Sequence, residues 1–575
     1  MAIRKSLCLY DNKGNWIIPK NGKPKYLYGW DKYKWARINK IKKFNAFDVF
    51  YEGATLDDIK QGGIGDCYFL SAIGSLTKFP NFIESHFYLE NEKKHIYGIY
   101  FFINGRWKRV LVDDQFPCRM NDKNIFGELY FSCSFQNEIW VSLIEKAWAK
   151  VNGSYANIDY GGYSYEVFDI LTEAYSEHIE IGVKSKEKIW EIMLNSEKRK
   201  YLMTVASKSF GFFSGIKYDI ILGLEERHAY TVVKTKVIEP KKGEKVRLVQ
   251  LRNPYGEKEY TGEWGKCSDK WTPELKKKYN YKEEIEKHDG MFYMSFDDFY
   301  NCFEFLDICK IERDYQTSYC KIKKNQAKRC QILELTVNDN YPRTFIQLYK
   351  KNLRILKNNS LHHNYKIDNN VMGFILLAKL VDKKNGNGEK EIKYVDSIAG
   401  YETHLAIEVD LTQGTYFIFC DVNYRYNSQD HGYAITCYHK TSEENLVLKN
   451  ITNAKKVDPK KFLELAIIHY CLYSHSSKKV FFDKGIKIYQ KEGYNNDVKR
   501  FPFDIICFVN TTNKTVKMRT QIKYGKSFCI YNDRDCNEKS TSVDKEIGPS
   551  RAKCVLVMRY NKKSTFYIYY KKLST

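Results

Sequence analysis

The sequence predicts an α+β protein whose first half mixes helices with strands and whose second half is antiparallel β. Three observations predict it. A glycine-rich loop runs into an apolar-periodic segment at 61–76. β-branched and aromatic runs near 229–233 and 249–252 are bounded by turn residues. Beyond about 315, short apolar runs recur with turn signals between them, the pattern of antiparallel β-sandwiches.

The first element is QGGIGDCYFLSAIGSL (61–76). Its glycines let the backbone approach a ligand closely. Phe69, Leu70, Ile73 and Leu76 fall at helical spacing. Asp66 is the predicted N-cap, so Cys67 opens the helix. A thiol there feels the positive end of the helix dipole, which favours thiolate. Gln61 can reach back with an amide donor, so nucleophile and oxyanion donor would share one short element. A cysteine in this setting is more often merely buried, and no Gly-Lys-Ser/Thr follows to make a phosphate loop. The decision rests on a histidine and an orienting amide elsewhere.

Both occur. His228 stands at the start of the strand predicted over 229–233. Asn253 follows a strand ending at Arg252, where Pro254 and Gly256 force a turn. Alone, the histidine reads as structural and Asn-Pro as turn chemistry. In the order Cys, His, Asn, with 61–70, 228–230, 252–257 and 262–264 around them, the chain resembles the calpain family of papain-like cysteine proteases. Segments 112–114, 143–155 and 294–296 support this, and the resemblance spans about 45 to 312.

The resemblance implies roles. Cys67 attacks a peptide carbonyl; His228 takes the thiol proton and returns a proton to the leaving amine. Asn253 fixes the imidazole tautomer, and the Gln61 side chain with the Cys67 N–H holds the oxyanion. Tyr68 and Tyr255 replace family tryptophans and keep an aromatic ring at each position. Arg227 replaces a glycine and sets a bulky cation beside His228.

The family also implies calcium, which takes six to eight oxygens. Tyr51 (through its carbonyl), Gly53, Asp58 and Glu138 match a complete first site. At the second site Glu259 and Asp289 match, but Lys266 and Met291 stand where the family has carboxylates. Lysine offers no lone pair, so this site is expected to be weak or absent unless the Lys266 ammonium replaces the ion. The loop at 382–389 lacks EF-hand spacing and reads as a hairpin turn; no EF-hand small subunit is expected.

The expected organisation is an N-terminal segment (1–44), a Cys-side subdomain (45–173) and a His/Asn-side subdomain (174–312). A calpain-type β-sandwich (313–445) and a second β-rich, C2-like domain (446–575) follow, with a helix over 459–473 between them. The 575 residues suffice for several cores. There is no eighteen-residue apolar stretch and no signal-peptide run, and the sixteen cysteines are scattered, so an intracellular, cytoplasmic protein is expected. The net charge of +24 could draw it to anionic membrane through the C-terminal domains, but its lysines are dispersed and no nucleic-acid motif accompanies them. The expected function is a calcium-regulated endopeptidase acting on proteins. The alternative is a catalytically weak scaffold binding membranes or partners, which the intact triad disfavours.

Overall fold

The computed structural model describes residues 33–41, 44, 46–120, 126–135, 137–209, 223–257, 259–282, 285, 290–323, 330–350, 372–382, 390–400, 402–423, 432–441, 446–452, 463–468, 479–483, 486–491, 503–512, 514–523, 528–530, 542–547, 552–559 and 567–574. They fall into two compact units that divide between Arg313 and Asp314.

In the first unit, helix α1 (Cys67–Leu76) has no charged residue and is buried from Tyr68 onward, with the hydroxyls of Ser71 and Ser75 donating to the Ala229 and Ala72 carbonyls. Helix α2 (Trp140–Val151) is buried from Trp140 to Ala149. Phe69 of α1 stacks on Trp148 of α2, with ring centroids 5.7 Å apart. A small antiparallel sheet of β1 (Phe87–Asn91), β2 (Ile96–Phe102) and β3 (Trp107–Val112) belongs to the same half. Strand Lys34–Arg37 pairs with Gln115–Met120, so residues before 45 already contribute to this unit.

The other half is a six-stranded antiparallel sheet. Its strands are β4 (Ser176–Glu180), β5 (Leu202–Ser207), β6 (Ala229–Ile238), β7 (Val246–Arg252), β8 (Met291–Ser295) and β9 (Phe303–Cys309). They lie in the order β8-β7-β6-β5-β9-β4. Strand alternation divides its side chains between two cores. Val249, Leu251, Phe292 and Met294 enter one with Trp190 and Met193 of helix α3 (Lys186–Lys198). Leu248 and Tyr293 enter the other with Trp264, Trp271 and Tyr281.

In the second unit, one sheet has the order β10-β17-β12-β15, from β10 (Tyr315–Ile322), β12 (Tyr341–Lys350), β15 (His404–Leu411) and β17 (Tyr433–Lys440). Another has the order β14-β13-β16-β11-β18, from β11 (Cys330–Val337), β13 (Met372–Asp382), β14 (Lys390–Gly400), β16 (Gly414–Asn423) and β18 (Val447–Asn450). Ile346 and Leu348 of the first share a core with Leu333, Ile375 and Ile418 of the second. Asp382 pairs with Lys390, so β13 and β14 flank the loop predicted as a hairpin turn, whose residues 383–389 lie outside the described set. Of the helix predicted over 459–473, residues 463–468 are described and helical, and Leu463, Ala466 and Ile467 are buried.

The last strands form two antiparallel sheets. One is ordered β19-β20-β21-β25-β23, from β19 (Lys479–Asp483), β20 (Ile486–Lys491), β21 (Phe503–Asn510), β23 (Phe528–Ile530) and β25 (Ala552–Arg559). The other is ordered β24-β22-β26, from β22 (Val516–Lys523), β24 (Ser542–Ile547) and β26 (Tyr567–Ser574).

Candidate active site

Cys67 is the first residue of α1 and Asp66 its N-cap. The Asp66 side chain makes no capping bond, although its carbonyl accepts from the Phe69 and Leu70 amides. The loop before it follows the protein's own packing. A Cβ on Gly62 would lie 2.1 Å from the Phe131 carbonyl oxygen, and one on Gly65 2.6 Å from that of Asp159. These glycines admit neighbouring backbone, so the expected approach to a ligand is not needed to explain them.

Helix α1 lies against β6, which carries the histidine. Ser71 Oγ donates to the Ala229 carbonyl at 2.9 Å, and Thr231 Oγ1 donates to the Ser71 carbonyl at 2.8 Å. The Ala229 amide donates to Cys67 Sγ at 3.4 Å. Two backbone-directed bonds join the flanking loops: the Gln61 amide to the Pro254 carbonyl at 2.8 Å, and Arg252 Nη2 to the Ile59 carbonyl at 2.8 Å. The cysteine-bearing and histidine-bearing elements are therefore in direct contact.

His228 is buried, and its Nε2 lies 2.9 Å from Asn253 Oδ1. Asn253 is held on both sides of its amide. Its Oδ1 also accepts from the Tyr255 amide at 3.1 Å, and its Nδ2 donates to the Glu257 carbonyl at 2.9 Å. With Oδ1 facing the ring, Nε2 is the protonated nitrogen toward Asn253, which leaves Nδ1 as the basic one. Tyr255 stacks on the imidazole at 4.8 Å with planes 4° apart, so the ring expected in place of tryptophan covers the histidine. Arg227 is exposed and left-handed, with φ of 49°. A family glycine there has a conformational reason, and the arginine carries the strain instead.

Burial pushes the Cys67 thiol up to about 11, against the lowering effect of the Ala229 amide and with a further rise from Asp66. The helix terminus alone does not make a resting thiolate, contrary to the sequence expectation, because desolvation outweighs it. Gln61 is buried and its Nε2 donates to the Ile64 carbonyl at 2.7 Å. That contact uses one of the two amide hydrogens and leaves the other for an oxyanion.

Of the residues expected to hold a first calcium, Tyr51, Gly53 and Asp58 lie on one loop and Glu138 reaches it from just before α2. Tyr51 N–H donates to Glu138 Oε2 at 3.0 Å, Ser134 Oγ donates to Glu138 Oε1 at 2.8 Å, and Thr55 N–H donates to Asp58 Oδ2 at 2.6 Å. Burial and the neighbouring Asp58 carboxyl raise Glu138 to about 7. Gly53 has φ of 90°, and the next amide, Ala54, donates to Glu84 Oε1 at 2.7 Å. Among the described residues no group of three or more His, Cys, Asp or Glu side chains converges as a metal would need. Calcium here would rely on two carboxylates and on backbone carbonyls.

At the second site Lys266 Nζ lies 2.9 Å from Glu259 Oε1, which also accepts from the Gly290 amide at 3.2 Å. Met291 is buried in the core, and Asp289 lies outside the described residues. The ammonium occupies the carboxylate, so these residues do not fit a calcium ion.

A family model described as "Calpain family cysteine protease" matches residues 21–310. The chain belongs to the calpain family of cysteine proteases. The Arabidopsis thaliana calpain-type cysteine protease DEK1 is 31% identical over 289 residues, covering 48% of this chain and 13% of that protein. The rat calpain-1 catalytic subunit is 34% identical over 289 residues, covering 49% of this chain and 38% of its own length. The chain thus spans well under half of these calpains. The calpain match contains Cys67, His228 and Asn253 and ends just before the second unit begins.

Three contributors to the calpain site escaped the sequence reading. Ser71 and Thr231 look like ordinary helix and strand residues until their reciprocal bonds are seen. Glu145, buried on α2, accepts from the Ser132 amide at 3.1 Å. The adjacent charged pair Glu145 and Lys146 inside the mostly apolar run 140–149 is the signal that could have found it.

Proposed function

We propose that the chain is a cysteine endopeptidase in which Cys67 is the nucleophile, His228 the general base and then acid, Asn253 the orienting amide, and Gln61 with the Cys67 amide the oxyanion donors. The observation that carries this reading is the His228–Asn253 bond together with the Ala229 amide on Cys67 Sγ. The neutral thiol gives its proton to His228 as sulfur attacks the peptide carbonyl. The S–C bond forms and the carbonyl oxygen takes the charge, facing the Gln61 amide. The C–N bond then breaks, His228 protonates the departing amine, and water activated by His228 cleaves the thioester. Each oxyanion donor is worth about 3 kcal/mol of barrier.

Calcium at Tyr51, Gly53, Asp58 and Glu138 is part of the proposal. A divalent cation would relieve the repulsion between the Asp58 and Glu138 carboxyls and fix the loop that precedes Gln61. The second site is proposed to be set permanently by Lys266 on Glu259. Substrates are proposed to be exposed, extended protein segments. An intracellular setting is supported by the described cysteines, which are free thiols. No described helix is long and apolar enough to cross a membrane. The second unit is proposed to be a calpain-type β-sandwich followed by a further C2-like domain, with a net charge of +24 suited to anionic lipid. Casein cleavage tests the enzyme: Cys67→Ala is expected to abolish it while leaving the unfolding midpoint unchanged, and undiminished cleavage by that variant refutes the assignment.

A further inference from the structure

The residue before the general base has no part in the reaction scheme, yet the fold holds it in a strained shape. Arg227 is exposed, with a left-handed backbone at φ 49°, which glycine adopts freely and arginine does not. The turn that carries it is clamped. Ser207 Oγ donates to the Glu225 carbonyl at 2.6 Å and accepts from the His228 amide at 3.0 Å. The Arg227 amide itself donates to the Lys208 carbonyl at 3.3 Å. The strain is thus built into the fold, and strain held beside a reacting group points to a use for the side chain. Among the described residues no carboxylate forms an ion pair with the guanidinium. Glu225 and Glu226 precede it in the turn, half-buried and exposed. Lys208 adds a second cation at the same corner, its Nζ donating to the Asn301 carbonyl at 2.7 Å.

We propose that Arg227 is a specificity residue, which selects substrates carrying Asp or Glu in the first two positions after the scissile bond. Its place follows from the chain. Arg227 directly precedes His228, and the next residue, Ala229, donates its amide to Cys67 Sγ at 3.4 Å. Consecutive Cα atoms are about 3.8 Å apart, so a guanidinium on its long stem reaches a peptide lying over the sulfur. The leaving side is the one it meets. His228 gives its proton to the departing amine, so the segment that begins with that amine passes beside His228 and its neighbour. A guanidinium fork matches a carboxylate in shape and charge. The family glycine offers no such group.

The inference rests on the endopeptidase reading, so the test separates the two. Internally quenched peptides, identical except for Asp, Asn or Lys at the first or second position after the cleaved bond, are given to the full chain with calcium supplied. The readout is the ratio of kcat/KM values between peptides, which a change in folded fraction does not move. Wild type is expected to prefer Asp over its neutral isostere Asn by about three- to fivefold, the size of an exposed ion pair, and to cleave the Lys peptide slowest. Salt at about 0.5 M should shrink the preference by screening. Arg227→Gly is expected to erase it, Arg227→Lys to retain most of it, and Arg227→Glu to turn it toward the Lys peptide. Equal ratios in wild type, or a preference for Asp that survives in Arg227→Gly, overturn the proposal. Cleavage that requires Cys67 but ignores peptide charge refutes this inference alone. Wild type that cleaves none of the peptides, or cleaves them no faster than Cys67→Ala, refutes the endopeptidase and the inference with it.

Discussion

Arg227 shows at the residue scale how this chain departs from its family. Its backbone is left-handed at φ 49° immediately before His228, a conformation costing a non-glycine residue about 1–2 kcal/mol. Arg227→Gly is expected to raise stability by about 1 kcal/mol in urea unfolding, and a lower unfolding midpoint would contradict the strain argument. Tyr255 stacks flat on the imidazole. Tyr255→Ala should cost about 0.5–1.5 kcal/mol of packing and lower kcat more than it raises KM, because His228 loses its cover. Unchanged kcat would deny Tyr255 a positioning role. These single-residue features were only partly legible in the sequence. Residue type at 61, 67, 228 and 253 announces chemistry, since few other arrangements use that set in that order. The state of the thiol was not legible, because desolvation depends on neighbours brought from distant parts of the chain.

At the scale of elements, the junction of α1 with β6 sets the distance between nucleophile and base. Thr231 and Ser71 exchange bonds across it, and a Cβ on Gly74 would press within 3.0 Å of Thr231 Oγ1. Thr231→Val removes one donor and leaves the Ser71 carbonyl short of its partner. It is expected to cost about 1 kcal/mol in urea unfolding, with a fall in kcat larger than that loss of folded population explains. Equal falls in kcat and folded fraction would reduce the junction to a packing contact. The helix at 67–76 and the strands at 229 and 246 were legible from apolar periodicity and turn residues. Their mutual register was not, because β6 and β7 pair through a bulge between Val232 and Lys234 that no local pattern marks.

For the molecule as a whole, the two proposed metal sites give different answers to one question, what keeps the cleft assembled. The first collects Asp58 and Glu138 around the loop before Gln61; the second carries its own cation in Lys266. A protease rate measured against free calcium is expected to rise with a single-ion dependence and to lose that dependence in Glu138→Gln. A steep two-ion response would refute the internal cation. The division into a mixed half and a β half was legible from the change in apolar run length near 315, but the strand orders of the later sheets were not, because alternation specifies a face and not a neighbour. The central claim is that Cys67 is a nucleophile served by His228. It is tested most directly by a thiol-reactive active-site probe on the full chain, with the labelled peptide identified by mass spectrometry. The account predicts labelling at Cys67 in wild type that vanishes in His228→Ala; labelling at Cys67 that persists undiminished in His228→Ala would contradict it.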